Sequence, residues 1–131
     1  MKREIKTEQA PQAIGPYSQG IATKCLVFVS GQIPVDPVTG LVENDIYLAT
    51  KLVLKNIEGV LSAEGLTMND VAKTTVFMTN LGDFAKMNEA YESVFSAPYP
   101  ARSTVGVCAL PKGVFVEIEC IAVKNQNKED K

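Results

Sequence analysis

The run Val114–Val123 divides its side chains between two faces that cannot share one environment. In an extended chain Val114, Val116, Ile118, Cys120 and Ala122 fall on one side, and Phe115, Glu117, Glu119, Ile121 and Val123 on the other. The first side belongs in a dry core. The second is half apolar yet carries two carboxylates. Too apolar for open water and too charged for an interior, it suits a contact between subunits. A chain containing this strand needs a sheet covered by its own helices on one face and by another copy on the other. A homo-oligomer is therefore expected.

The rest of the chain supplies those helices. At 131 residues it has room for one domain. Two short extended runs lie between Ser18 and Ile33, with Thr23-Lys24 as the turn between them, and Cys25–Gly31 is apolar on both faces, as a central strand should be. Pro34 and the Asp36–Gly40 cluster end it in a turn. Asn44 or Asp45 then caps a helix with Ile46, Ala49, Val53, Ile57, Val60 and Leu61 on one face, closed by Gly65 in a left-handed cap. Lys73–Thr79 reads as a β-branched strand. Asp83 caps a second helix with Phe84, Met87, Tyr91, Val94 and Phe95 on one side, and Pro98-Tyr99-Pro100 stops it. Closing strands follow at Ser103–Leu110 and Val114–Val123, joined by Pro111-Lys112-Gly113 as a hairpin-like connection. The order ββαβαββ predicts an α+β domain with one mixed sheet and two helices on one face. Residues 1–123 form that single domain, and the wholly polar 124–131 is a solvated C-terminal tail.

Composition removes several functions. Thirteen Lys and Arg stand against 15 Asp and Glu, a net charge of -2, without the basic excess of a nucleic-acid binder. There is no histidine, so no Ser-His-Asp or Cys-His arrangement and no imidazole zinc ligand can form. Cys25, Cys108 and Cys120 sit in apolar runs without Cys-x-x-Cys spacing and read as buried thiols of a reducing compartment. The charged N-terminus lacks the apolar segment of a secretory signal, and no run approaches the ~20 apolar residues of a membrane span. No Gly-x-Gly-x-x-Gly, Walker loop or carboxylate cluster calls for a cofactor or metal. A cytoplasmic protein without cofactor, membrane or nucleic-acid partner is expected.

Few residues remain to carry chemistry. Arg3 lies in the polar N-terminal stretch and reads as solvated. Arg102, between a helix stop and a strand start, has no acidic neighbour in sequence, and its planar guanidinium offers a two-pronged site for a carboxylate. A salt bridge to a distant glutamate would serve it equally well. Glu117 and Glu119 share one face of an apolar strand, where burial would raise a carboxyl pKa toward the range of a general acid or base; pairing with lysines or reaching solvent is the alternative. Tyr17 brings a phenol to a turn-prone segment, and at Ser30-Gly31 a ligand can approach bare backbone. From the residues alone, the chain is a small oligomer able to bind a small anionic ligand.

The same residues carry a family likeness. Ala13–Gly20, Val29–Pro34, Val71–Phe77, Met87–Tyr91, Pro100-Ala-Arg-Ser103, Leu110–Gly113 and Val116-Glu-Ile-Glu119 stand in the order seen in the Rid family of YjgF-like reactive intermediate deaminases, which the chain resembles from about Ile5 to Val123. The resemblance implies a chorismate-mutase-like fold and a homotrimer whose sheets pack as a central barrel, with three equivalent clefts between subunits. It implies hydrolysis of 2-imino acids, such as 2-iminobutanoate and 2-iminopropanoate shed by pyridoxal-phosphate enzymes, to 2-oxo acids and ammonia without a cofactor. By the same likeness Arg102 grips the substrate carboxylate and Glu117 positions or activates water, while Tyr17, Ser30 and Asn88 line the cleft. Many deaminating relatives have cysteine where this chain has Thr104, a pocket position whose hydroxyl still hydrogen-bonds. The alternatives are a trimeric carboxylate-binding module without turnover, a ribonuclease or translation inhibitor, and a chorismate mutase; the charge balance weighs against RNA, and a single candidate arginine against the mutase's dianion.

Overall fold

The computed structural model describes residues 1–124, so the expected polar tail beyond Lys124 lies outside the described residues. Six strands form one mixed sheet: β1 Arg3–Ile5, β2 Gly20–Ala22, β3 Leu26–Gln32, β4 Val71–Met78, β5 Ala101–Gly106 and β6 Val116–Val123, in the order β1-β2-β3-β6-β4-β5. Two helices, α1 Ile46–Ser62 and α2 Phe84–Val94, pack against each other, and α1 lies on β3 and β6. The architecture is the expected α+β domain with two helices and a mixed sheet. Among the described residues no helix is long and apolar enough to cross a membrane.

Local chemistry explains most element boundaries. Asp45, rather than Asn44, caps α1, its side chain accepting from the Leu48 N–H. At the other end Gly65 takes φ +76°, and the Leu66 N–H returns to the Leu61 carbonyl at 3.0 Å. Ile46, Ala49, Val53, Ile57, Val60 and Leu61 are all buried, as their spacing requires, and meet Val76, Val116, Ile118 and Ala122 of the sheet in one core. Asp83 precedes α2, but its side chain makes no capping bond, because the short turn Leu81–Asp83 already feeds the helix.

Four expectations need correction. Pro111–Gly113 does not close a hairpin: β5 pairs in parallel with β4, β6 pairs antiparallel to β4, and the connection therefore passes the end of the strand between them. The β4-α2-β5 segment is a crossover unit, which brings its two strands side by side in parallel. The first strand, β1, is hidden in the sequence by its length and charge; only Ile5 of its three residues is buried. Cys120 is buried as expected, but Cys25 and Cys108 are exposed because both lie outside the strands, in connecting segments. Arg3 is not free in solvent either. Both its terminal nitrogens bond the carboxylate of Glu64, which also pairs with Lys124 at 3.3 Å, so the first residue of the expected solvated tail is held in place.

This triad ties β1 and the end of β6 to the segment after α1. The Arg3 guanidinium first, against the upward push of burial and with help from Lys124, holds the Glu64 carboxyl below the usual carboxylate range. A group whose pKa is depressed by folding adds stability above its unfolded pKa and loses it as pH falls through the folded value. Glu64→Gln should therefore melt below the wild type at pH 7, and the difference should close as pH drops below the ordinary glutamate range. Thermal melts across that range check it; a constant gap would assign the loss to packing.

Candidate functional site

Alternation along the strands decides where each candidate side chain goes. Thr74 of β4 stands opposite Arg102 of β5 and Cys120 of β6, and Val76 opposite Thr104 and Ile118. Directly paired residues share a face, and Thr74, Val76, Ile118 and Cys120 are all buried beneath the helices. Arg102 and Thr104 therefore rise on the helix face. Phe77 stands opposite Val105 and Glu117, and Thr75 opposite Ser103 and Glu119. Glu117 and Glu119 thus lie on the other, uncovered face. Arg102 and Glu117 are on opposite sides of the sheet.

On the helix face, α2 offers Phe84, Asn88 and Tyr91 along one stripe toward the edge strand β5. The Arg102 guanidinium lies 4.8 Å from the centre of the Tyr91 ring and 5.6 Å from that of Phe84, within reach of both ring faces. Tyr91 is fixed from below by a 2.7 Å hydrogen bond between its hydroxyl and that of Thr74. Burial, the dominant influence, pushes the Tyr91 phenol pKa up and keeps it neutral. Among the described residues no carboxylate pairs with Arg102. Asn88, Tyr91, Glu92, Tyr99, Pro100 and Arg102 border an open cavity of about 530 Å³, in which Glu92 makes no ion pair with Arg102. The side-chain oxygens of Asn88 and Thr104 are buried without a hydrogen-bond partner, both near this cation in sequence or stripe.

On the uncovered face a second cavity, of about 560 Å³, brings together Tyr17, Ser30, Gly31, Glu117 and Glu119, with Lys112 among its lining residues. The buried Gln19 builds one wall: its amide donates to the carbonyls of Thr7, Ala10 and Pro11, pinning the N-terminal loop over the sheet. Ser30 donates its hydroxyl to the Ser18 carbonyl at 2.6 Å. Burial first, and the neighbouring Glu119 charge second, raise the Glu117 pKa above the usual glutamate range. Lys112 stands in the left-handed region at φ 58°, a conformation that costs a non-glycine residue free energy.

The single chain therefore gathers the predicted residues into two groups: Arg102 with Asn88, and Glu117 with Tyr17, Ser30 and Gly31. Sequence reading places Phe84 and Tyr91 in the core and misses them as the platform for Arg102; their i, i+7 spacing with Asn88 between is the available signal. It also misses Gln19 and Lys112, for which no local pattern speaks. The uncovered face also carries an apolar row, Ile21, Phe28 and Ile121 in register across β2, β3 and β6, with Glu4 and Lys73 at its two ends. A further groove of about 570 Å³, beside α1, contains none of these candidates.

Comparison with known proteins gives this geometry a context. The family model described as Endoribonuclease L-PSP matches residues 7–124. A RutC family protein of Pyrococcus horikoshii is 51% identical over 125 residues, covering 95% of this chain and 99% of that protein. The 2-iminobutanoate/2-iminopropanoate deaminase of Salmonella typhimurium is 49% identical over 127 residues, with the same coverage of 95% and 99%. A crystal structure of E. coli TdcF with bound serine superimposes with a TM-score of 0.91 at 48% identity, over 94% of this chain and 99% of that one.

Proposed function

We propose, because the chain belongs to the Endoribonuclease L-PSP (YjgF/RidA) family, that it hydrolyses 2-imino acids to 2-oxo acids and ammonia. The observation that carries this reading is the Arg102 guanidinium, offered at the sheet edge with no carboxylate partner among the described residues. The substrate carboxylate takes that place in a bidentate pair. Arg102 and Glu117 face opposite sides of one sheet, so a cleft holding both is built from two copies, one giving the Arg102 face and its neighbour the Glu117 cavity. A homotrimer with its uncovered sheet faces turned inward, as a central barrel, provides three such clefts. The apolar row Ile21, Phe28 and Ile121 supports burial of that face.

The chemistry asks little of the protein. An imine carbon is already electrophilic, so orientation and one proton acceptor suffice. Arg102 fixes the carboxylate, and Glu117 takes a proton from water as its oxygen bonds to C2. The C=N electron pair passes to nitrogen and the carboxyl returns the proton there, giving a carbinolamine. Glu117 then moves the carbinolamine hydroxyl proton to nitrogen as C=O forms, the C–N bond breaks and ammonia leaves. Burial and the Glu119 charge, which raise the Glu117 pKa, make it the better base. Tyr17, Ser30, Gly31, Asn88 and Thr104 line and order the cleft. Small imines such as 2-iminobutanoate and 2-iminopropanoate, released by pyridoxal-phosphate enzymes in the cytoplasm, are the proposed substrates, and no cofactor takes part. The family description also names ribonuclease chemistry. A chain with no histidine, 13 basic against 15 acidic residues and Glu117 beside Glu119 in its cavity is poorly made to hold phosphates.

The test is release of 2-oxo acid from 2-iminobutanoate generated in situ, read for the wild type and for Glu117→Ala. The wild type should accelerate release, and the variant should lose about 100- to 10,000-fold at unchanged oligomeric size. Binding of 2-oxo acids without any acceleration would make the chain a carboxylate-binding module instead.

A further inference from the structure

The ladder between β3 and β6 is interrupted opposite Glu119, two residues from Glu117. Val29 pairs with Cys120 and Gln32 with Ile118, so Ser30 and Gly31 together oppose the single residue Glu119. That is a β-bulge, which re-aims the backbone it interrupts. One of the two is a glycine, Gly31, although its backbone stays outside the left-handed region that would demand one. What excludes a side chain is one neighbour. A Cβ at Gly31 would lie 2.3 Å from Glu117 Oε2, 2.8 Å from its Cδ and 3.1 Å from its Cγ, and those are the three nearest atoms. The carboxyl of Glu117 lies directly on the bare backbone of the bulge.

We infer that Gly31 is a positioning residue for Glu117: its missing side chain forms the seat that holds the carboxyl against β3 and fixes the direction in which it meets water. The inference rests on the catalytic role proposed for Glu117, but the seat itself is independent of turnover. The obstructed atoms are the far end of a flexible side chain, so an added methyl group is accommodated by expelling the carboxyl rather than by breaking the strand. The ionisable groups around that seat are few. Glu119 lies on the same strand, Tyr17 and Lys112 line the cavity, and β3 contributes the uncharged Ser30, Gly31 and Gln32 there. From β4 the uncharged Phe77 stands opposite, while Lys73, farther along, donates to the Ser103 hydroxyl at 2.9 Å. Burial is therefore the property that leaving the seat changes most.

Gly31→Ala tests this in the full-length oligomer. The Glu117 carboxyl carbon, followed by NMR in protein labelled at its glutamates and assigned with Glu117→Gln, should titrate at lower pH in Gly31→Ala than in the wild type. Imine hydrolysis should fall about 10- to 100-fold, the scale of a displaced catalytic group, and its acid limb should move to lower pH. An unchanged Glu117 titration overturns the inference. A shifted titration with an unchanged rate upholds the seat and removes Glu117 from the proposed mechanism. Should Gly31→Ala fail to fold, recovery of the native oligomer by Gly31→Ala/Glu117→Ala supports the clash, and failure of both overturns it.

Discussion

Arg102→Lys should lose about 100-fold or more of the imine-hydrolysis rate while keeping its oligomeric size and melting temperature, since a misplaced substrate alone costs on that scale. Charge is conserved in this exchange; geometry is not. The guanidinium is a flat fork lying over the Tyr91 and Phe84 rings, 4.8 and 5.6 Å from their centres, and that platform sets the plane in which two parallel bonds to a carboxylate form. An ammonium on a flexible stem binds as a point charge and leaves the imine carbon free to turn away from water. Because Arg102 is part of no ion pair among the described residues, its replacement strands no buried partner, and stability should move little. Arg102→Ala should lose at least as much. Rates from 2-iminobutanoate generated in situ, measured beside thermal melts, decide the matter. A lysine variant with near-wild-type turnover would show that simple charge is enough and would remove the bidentate grip from the mechanism.

The parts of the fold that are legible in the sequence are those set by local rules. The α1 face, the Asp45 cap and the Gly65 terminus follow from periodicity and capping within a few residues of each other. The two faces of β6 follow from alternation, and the buried set Val116, Ile118, Cys120 and Ala122 matches it. Strand order is a different kind of fact. Pro111–Gly113 has turn chemistry, but turn residues state only that the chain bends, and β4 lies between the strands they connect. Treating β4-α2-β5 as a crossover pairs those strands in parallel and removes the error. At the candidate site, sequence nominates Arg102 and Glu117 by chemistry, yet their faces depend on register through β4, which no local pattern encodes. Gly31 reads in the sequence as room for a ligand, whereas that space already holds the Glu117 carboxyl. The contact joins two strands far apart in sequence, beside the bulge in their ladder.

Mixing two inactive variants should restore activity, and this is the sharpest consequence of a sheet with Arg102 on one face and Glu117 on the other. Arg102→Ala keeps an intact Glu117 cavity, and Glu117→Ala keeps an intact Arg102 face. If each cleft takes one face from each of two neighbours, a cleft between unlike subunits in the correct order contains both wild-type residues. In randomly reassorted trimers from an equal mixture, one half of the clefts have the arginine and half of those also have the glutamate, so about a quarter of wild-type activity should return. The subunits must exchange for this to happen, by refolding the mixture or by expressing both chains together. Simple mixing of preformed oligomers should stay near the activity of either variant until exchange occurs. A reassorted mixture with no more activity than its parents would require Arg102 and Glu117 of the same copy to act together. The sheet between their side chains stands against that arrangement, so the result would overturn the cleft shared between two copies.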